Sequence, residues 1–254
     1  MAVSVEVRAL SFGYGEFRLS VAGLRFESRK VASIVGRNGA GKSTLLKCLG
    51  GVLPVSKGSV SVGGRDLAEL KSPERARLIS YVPQELAPAL NYGVLDFVLM
   101  GRAAYIPTFS VPSREDRRLA EEAIRFVGLA GFEDREFSQL SSGERRLALV
   151  ARTLAQSPEV LLLDEPTTFL DPKHEVEVME LCRKLAVEKG KTVIVTLHNL
   201  EMAVKYSDEM VFLKKGRVAA SGPPDRVLSE ALLAEVYDIP MTIVPFDGRK
   251  LILR

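Results

Sequence analysis

The apolar segment Val31-Ala32-Ser33-Ile34-Val35 runs directly into Gly36-Arg37-Asn38-Gly39-Ala40-Gly41-Lys42-Ser43, and no other stretch restricts the fold so tightly. The spacing G-x-x-x-x-G-K-[ST] demands a strand, a tight loop and a helix in that order. Glycines let backbone N–H groups turn inward around phosphate oxygens, and a helix starting at Ser43 aims its positive end at the same point. Gly36, Asn38, Gly39, Ala40, Gly41, Lys42, Ser43 and Thr44 are therefore the expected phosphate cradle. Lys42 is placed to reach terminal phosphates, and the Ser43 hydroxyl to ligate Mg²⁺.

A second apolar run, Val160 to Leu163, ends in Asp164-Glu165-Pro166. Carboxylates at the C-terminal end of a buried parallel strand face the ligand crevice of open α/β sheets. Asp164 is expected to hold Mg²⁺ through water, and Glu165 to point the other way and polarise an attacking water. Both acids also suit the cap of a following helix.

Around these motifs the chain reads as an α/β fold. Strands are expected at Val3 to Leu10, Phe17 to Leu24, Lys30 to Val35, Gly58 to Val62 and Ile79 to Val82. The pattern then turns helical at Asp96 to Met100, Asp116 to Val127 and Glu144 to Ala155. Strand and helix alternate again in Val160 to Leu163, Pro172 to Glu188, Thr192 to Thr196 and Leu200 to Ser207, a rhythm that gives a mostly parallel sheet covered by helices. Ile243 to Phe246 and Lys250 to Leu253, joined by Asp247-Gly248, read as a hairpin. One domain over 1–254 is expected, with a core of about 1–86 and 156–254 and a helical subdomain of about 87–155 inserted into it.

No apolar run approaches the ~18 residues of a membrane-spanning helix. The opening MAVSVEVRAL lacks the basic-then-apolar plan of a secretory signal, which places the protein in the cytoplasm. Cys48 and Cys182 lack metal-ligand spacing and read as buried thiols. A net charge of +3 is too mild to imply a nucleic-acid partner, and none is expected.

With Leu140-Ser141-Ser142-Gly143-Glu144 lying between the phosphate loop and Asp164-Glu165, the chain resembles the nucleotide-binding subunits of ATP-binding-cassette transporters. The resemblance spans essentially the whole chain. It implies a P-loop NTPase core with an N-terminal antiparallel β region and an inserted α-helical subdomain, and hydrolysis of ATP with Mg²⁺. Leu140 to Glu144 is similar to the family's signature segment, although Ser142 stands where a glycine is usual. Ser141 and the N–H groups at Gly143 present a positive helix end to a phosphate. The resemblance implies that this phosphate belongs to nucleotide held by a second copy, in a head-to-tail pair with two ATP molecules between the subunits.

It further implies that Tyr14 stacks on adenine, that Gln84 senses Mg²⁺ and water, that His198 contacts the γ-phosphate, and that Asp171 reaches across the dimer. Tyr14 could equally be a core aromatic and Asp171 a helix N-cap before Pro172. His174 matches no position of that site and reads as solvated surface.

Val98 to Arg102, Leu163 to Asp171 with His174, Leu213 to Val218 and Leu232 to Tyr237 resemble motors of importers for iron chelates (siderophores), haem and cobalamin. That resemblance implies integral membrane permease subunits, an extracytoplasmic substrate-binding protein, and a place at the cytoplasmic face of the cell membrane. Zinc or manganese importers share much of the pattern, Asn199 stands where aspartate is common, and a soluble cassette ATPase that remodels other complexes also fits the motifs. Phe97, Tyr105 and Phe109 in Leu95 to Ser113 are expected either to form a groove for a helix of the membrane subunit or to pack the lobe.

Overall fold

The computed structural model describes residues 3–84, 92–107, 109–246 and 249–253. Strands β1 (Val5–Tyr14) and β2 (Phe17–Phe26) form an antiparallel hairpin, and β3 (Val31–Val35) leads through the glycine loop into α1 (Lys42–Leu49). Short strands β4 (Val60–Val62) and β5 (Arg65–Asp66), helix α2 (Ser72–Leu78) and strand β6 (Ile79–Val82) follow. Helices α3 (Val94–Leu99), α4 (Arg114–Phe126) and α5 (Ser142–Ala155) pack largely on one another. The chain then returns to the sheet through β7 (Val160–Leu163), α6 (Pro172–Val187), β8 (Thr192–Leu197), α7 (Leu200–Tyr206), β9 (Glu209–Lys214) and β10 (Arg217–Gly222). Helices α8 (Pro224–Val227) and α9 (Glu230–Tyr237) and a hairpin of β11 (Thr242–Phe246) and β12 (Arg249–Leu253) complete it. The expected Asp247-Gly248 turn lies outside the described residues.

The sheet has ten strands in the order β5-β4-β1-β2-β10-β9-β3-β8-β7-β6. From β9 to β6 every neighbouring pair is parallel, whereas β5, β4, β1 and β2 pair antiparallel. Strand β10 joins the two regions, antiparallel to β9 and touching β2 at Arg217–Ser20. The N-terminal antiparallel region is thus continuous with the core sheet.

Period-two packing explains why the central strands carry uninterrupted apolar runs. In β7, Leu161 and Leu163 enter one hydrophobic cluster while Val160 and Leu162 enter the other, and β3 divides Val31 and Val35 from Ala32 and Ile34 in the same way. Full burial of one such side chain is worth about 1.5–3 kcal/mol. Cys48 and Cys182 lie in these cores as free thiols, where burial pushes their pKa values up to about 11 and about 12.

Helix α4 starts at a reciprocal cap between Ser113 and Asp116 and turns Ala120, Ala123 and Ile124 inward. Asp116 also receives the Arg102 guanidinium at 2.8 Å, a buried ion pair inside the helical region. The three aromatics of Leu95 to Ser113 divide between the two expectations. Phe97 packs on Phe137 with ring centroids 4.2 Å apart. Tyr105 lies under Arg102 and donates its hydroxyl to the Gln156 carbonyl at 3.1 Å. Of the three aromatics only Phe109 is fully exposed, with Val111 beside it in sequence at 85%. Among the described residues no helix is long and apolar enough to cross a membrane.

Candidate active site

At the end of β3 the chain turns at once through the glycine loop. Gly36 has φ 150° and Gly41 φ 105°, conformations that side-chain-bearing residues rarely adopt. A Cβ on Gly36 would also run into the Leu213 carbonyl, because the loop lies against β9. Ala40 is buried beneath the loop; its N–H donates to the Arg37 carbonyl at 3.1 Å and its own carbonyl accepts from the Gly216 N–H at 2.9 Å. Lys42 is buried and donates to the Gly36 carbonyl at 3.0 Å and the Arg37 carbonyl at 3.3 Å. Burial pulls the Lys42 ammonium below the usual lysine pKa, partly opposed by Glu165 and Asp164.

A cleft of about 320 Å³ opens over this loop. It is lined by Asn38, Gly39, Gly41, Lys42, Ser43 and Thr44 from the loop and α1, by Tyr14 and Phe17, and by Gln84, Glu165 and His198. Gly36 and Ala40 shape the loop from below and do not line the cleft. Tyr14, 59% exposed at the end of β1, lies 5.3 Å from Phe17 between ring centroids. It is therefore a presented aromatic surface, not core.

Asp164 is only 2% exposed, just behind the lining. Its Oδ1 accepts from the Ser43 hydroxyl at 2.9 Å and the Thr196 hydroxyl at 2.7 Å, and its Oδ2 accepts from Tyr81 at 3.0 Å. Burial and the Asp164 charge together push the Tyr81 phenol well above its ordinary pKa, so Tyr81 stays a donor. Glu165 has φ 47°, a left-handed backbone that turns its side chain away from that of Asp164 and into the cleft. Its N–H donates to Thr196 Oγ1 at 2.7 Å, and its carboxylate accepts from Gln84 Nε2 at 2.5 Å and contacts His198 Nε2. His198, expected against phosphate, is here the partner of Glu165.

The oxygen donors Ser43 Oγ, Asp164 and Gln84 suit a hard cation such as Mg²⁺, which typically takes one or two carboxylates and completes its shell with phosphate and water oxygens. Among the described residues no group of three or more His, Cys, Asp or Glu is placed to hold a metal ion.

Ser141, Gly143 and Asp171 do not line the cleft. Ser141 caps α5, accepting from the Glu144 N–H at 3.3 Å while Glu144 accepts from the Ser141 N–H at 2.7 Å. Asp171 caps α6, accepting from the Lys173 and His174 N–H groups at 3.0 and 3.1 Å. His174 corrects the surface reading. It is half-buried, with Nδ1 2.6 Å from Asp171 Oδ2 and its ring lying on Gly143.

Four contributors escaped the sequence reading: Phe17, Tyr81, Thr196 and Arg146. The buried Arg146 guanidinium donates to the carbonyls of Pro83 and Gln84 at 3.1 and 2.9 Å, tying α5 to the segment that carries Gln84. Thr196 was detectable as a polar residue near the end of the apolar strand Thr192–Leu197. Arg146, buried from a helix that opens with charged residues, left no local signal.

A family model described as ABC transporter matches residues 19–168. The hemin import ATP-binding protein HmuV of Streptomyces coelicolor is 42% identical over 216 residues, covering 85% of this chain and 76% of that protein. An inward-facing structure of a metal-chelate type ABC transporter superposes with a TM-score of 0.84 at 30% identity, covering 99% of this chain and 96% of the other. A dimeric post-hydrolysis cassette bound to ADP and Pi superposes with a TM-score of 0.70 at 28% identity, covering 87% of this chain and 98% of the other. The chain belongs to the ABC transporter family and is one of its ATP-hydrolysing cassettes.

Proposed function

We propose that this cassette drives an importer for an iron chelate, haem or cobalamin, and that it works as a head-to-tail pair on the cytoplasmic face of a membrane permease. The observation that carries the ATP-driven part of this reading is the placement of Glu165 in the cleft beside Lys42 and Ser43, with Gln84 and His198 on its carboxylate. The likeness to a hemin import ATP-binding protein and a metal-chelate type transporter supports the cargo class.

The roles follow from the chemistry of each group. Loop N–H groups and Lys42 bind the phosphates, and Tyr14 with Phe17 offers a face to adenine. Ser43, Asp164 and Gln84 would hold Mg²⁺, which when bound neutralises charge developing on the phosphates. Glu165 accepts the proton of the attacking water, while Gln84 and His198 orient its carboxylate. Ser141 and the Gly143 N–H do not line this cleft, which supports a role toward nucleotide held by a second copy, with Asp171 at the shared interface. ATP closes the pair because each nucleotide adds contacts that exist only in the closed state.

The helical subdomain of about 87–155 then moves as a lobe on the core of about 1–86 and 156–254, with the first boundary lying outside the described residues. Exposed Phe109 and Val111 are the apolar contact for a helix of the permease. An extracytoplasmic binding protein delivers cargo from the other side.

The test is to isolate the chain with its natural partners from gently solubilised membranes and identify them by mass spectrometry. A co-purifying protein with several apolar stretches of about 20 residues is expected. Recovery only from the soluble fraction, with ribosomal or DNA-associated partners, overturns the importer and leaves the ATPase.

A further inference from the structure

Two segments with separate duties touch at the start of α6. The first is the loop from Glu165 to Asp171, whose leading residue lines the cleft. The second is the opening of α5 at Gly143, which lies outside that cleft. The contact between them is the imidazole of His174.

One oxygen of Asp171 is already used in capping α6, since Oδ1 accepts the backbone N–H groups of Lys173 and His174. The other oxygen, Oδ2, lies 2.6 Å from His174 Nδ1, and this bond fixes the plane of the ring. An ionised carboxylate can only accept, so Nδ1 is the donor, and this bond is the first cause holding the Asp171 carboxyl below its usual pKa. The ring then bears on Gly143. A Cβ at that position would sit 2.6 Å from His174 Cδ2, 2.8 Å from Cγ and 3.0 Å from Nε2. Gly143 has no positive φ, so what its missing side chain provides here is room for the imidazole.

The loop behind this strut is strained. Glu165 has φ 47° and Phe169 has φ 64°, both left-handed without being glycine. Such residues persist only where the surrounding structure holds them in place, and the first of the two lines the cleft.

We propose that His174 is a positioning residue that couples the two composite ATP sites of the dimer. Ordering of the Glu165–Asp171 loop by one nucleotide passes through Asp171 and the imidazole to Gly143, and so to the N–H groups that the same subunit offers to the other nucleotide. The inference rests on the head-to-tail pairing proposed above.

The experiment compares the full chain, in its complex with the permease, with His174→Ala and His174→Asn. The asparagine amide nitrogen replaces Nδ1 and keeps the bond to Asp171. Three quantities are read: affinity of each isolated subunit for a fluorescent ATP analogue, ATPase rate against ATP concentration, and ATP-driven dimerisation of the isolated subunit in a Glu165→Gln background. His174→Ala is expected to keep the affinity, lower kcat about tenfold and bring the Hill coefficient down to about 1. His174→Asn is expected to recover most of both.

Unchanged cooperativity in His174→Ala overturns the proposal, and so does a wild type whose own Hill coefficient is about 1. Equal losses in both variants, with lower melting temperatures and weaker nucleotide affinity, reduce His174 to a packing residue and overturn it too. A Glu165→Gln subunit that stays monomeric with ATP marks a different failure, that of the paired-site reading underneath.

Discussion

The cleft and the helical region each bury an aspartate, and they treat its charge differently. Asp116 receives a cation, Arg102, at 2.8 Å, together with the Ser113 hydroxyl, so the helical region closes its own charge balance. Asp164 receives three neutral hydroxyls, from Ser43, Tyr81 and Thr196, and its neighbour Glu165 adds a second carboxylate. Hydroxyls satisfy lone pairs but leave the charge in place. Lys42 is the cation that acts on both acids, and it is itself held by loop carbonyls. The helical region pairs its buried aspartate with a cation in direct contact, whereas Asp164 is bonded by hydroxyls and feels Lys42 and Arg146 only from farther off.

The comparison breaks most easily at Glu165. If its charge is reserved for chemistry, Glu165→Gln should lower turnover by about 10²–10⁴-fold. ATP affinity and the melting temperature should stay near their original values, because the amide can keep a contact to Gln84. Phosphate release and nucleotide titration check this together. A variant that turns over normally removes Glu165 as the base, and one that merely unfolds makes the cleft structural like the helical region.

Next in size is Asp116→Asn, which leaves the Arg102 guanidinium buried without its counter-charge and should cost about 3–5 kcal/mol in a urea titration. ATP affinity of the folded fraction should not change. The pH dependence has a definite sign. The Ser113 hydroxyl first, and Arg102 second, hold the Asp116 carboxyl below its usual pKa. The stability it adds is therefore complete above the unfolded value of about 3.9 and is lost as pH falls through the lower folded value. The wild-type and Asp116→Asn curves should converge below about pH 4 and separate above it. Tyr81→Phe should cost less, about 1–3 kcal/mol, since it removes one neutral donor from Asp164 and strands no ion; the same titration decides.

How far the sequence exposed these arrangements depended on whether the partners were contiguous. Gly36 to Ser43 and Val160 to Glu165 each carry strand, turn and chemistry in one stretch, so both were readable, and most of the expected strands and helices in the described residues lie within two residues of the observed ones. The hydroxyls on Asp164 come from separate strands. Tyr81 arrives because β6 pairs with β7 at Tyr81–Leu162, and Thr196 because β8 runs past Asp164 on the other side. No local period encodes that register. The same reason hid β10 as the join between the antiparallel and parallel regions, and hid the meeting of His174 with Gly143. For Phe97 and Tyr105 the sequence left docking and lobe packing both open, because an aromatic in a mixed segment gives no sign of which side it faces; their contacts with Phe137 and Arg102 favour packing.

The smallest effect is expected at the edge of the cleft, where recognition involves no charge. Stacking on one aromatic contributes about 0.5–1.5 kcal/mol, so Tyr14→Ala should weaken ATP binding by about 2- to 12-fold. Phe17 complicates the assignment, because it touches Tyr14 and also lies where a Cβ on Gly41 would come within 2.8 Å of its ring. Loss of Tyr14 could act on the base directly or on the phosphate loop through Phe17. Tripolyphosphate separates the two, since it fills the loop and has no adenine. Equal weakening of ATP and tripolyphosphate would make Tyr14 a prop for the loop. Weakening of ATP alone assigns Tyr14 to the base, and a neutral stack of this kind should be nearly indifferent to salt, unlike the charged groups that line the same cleft.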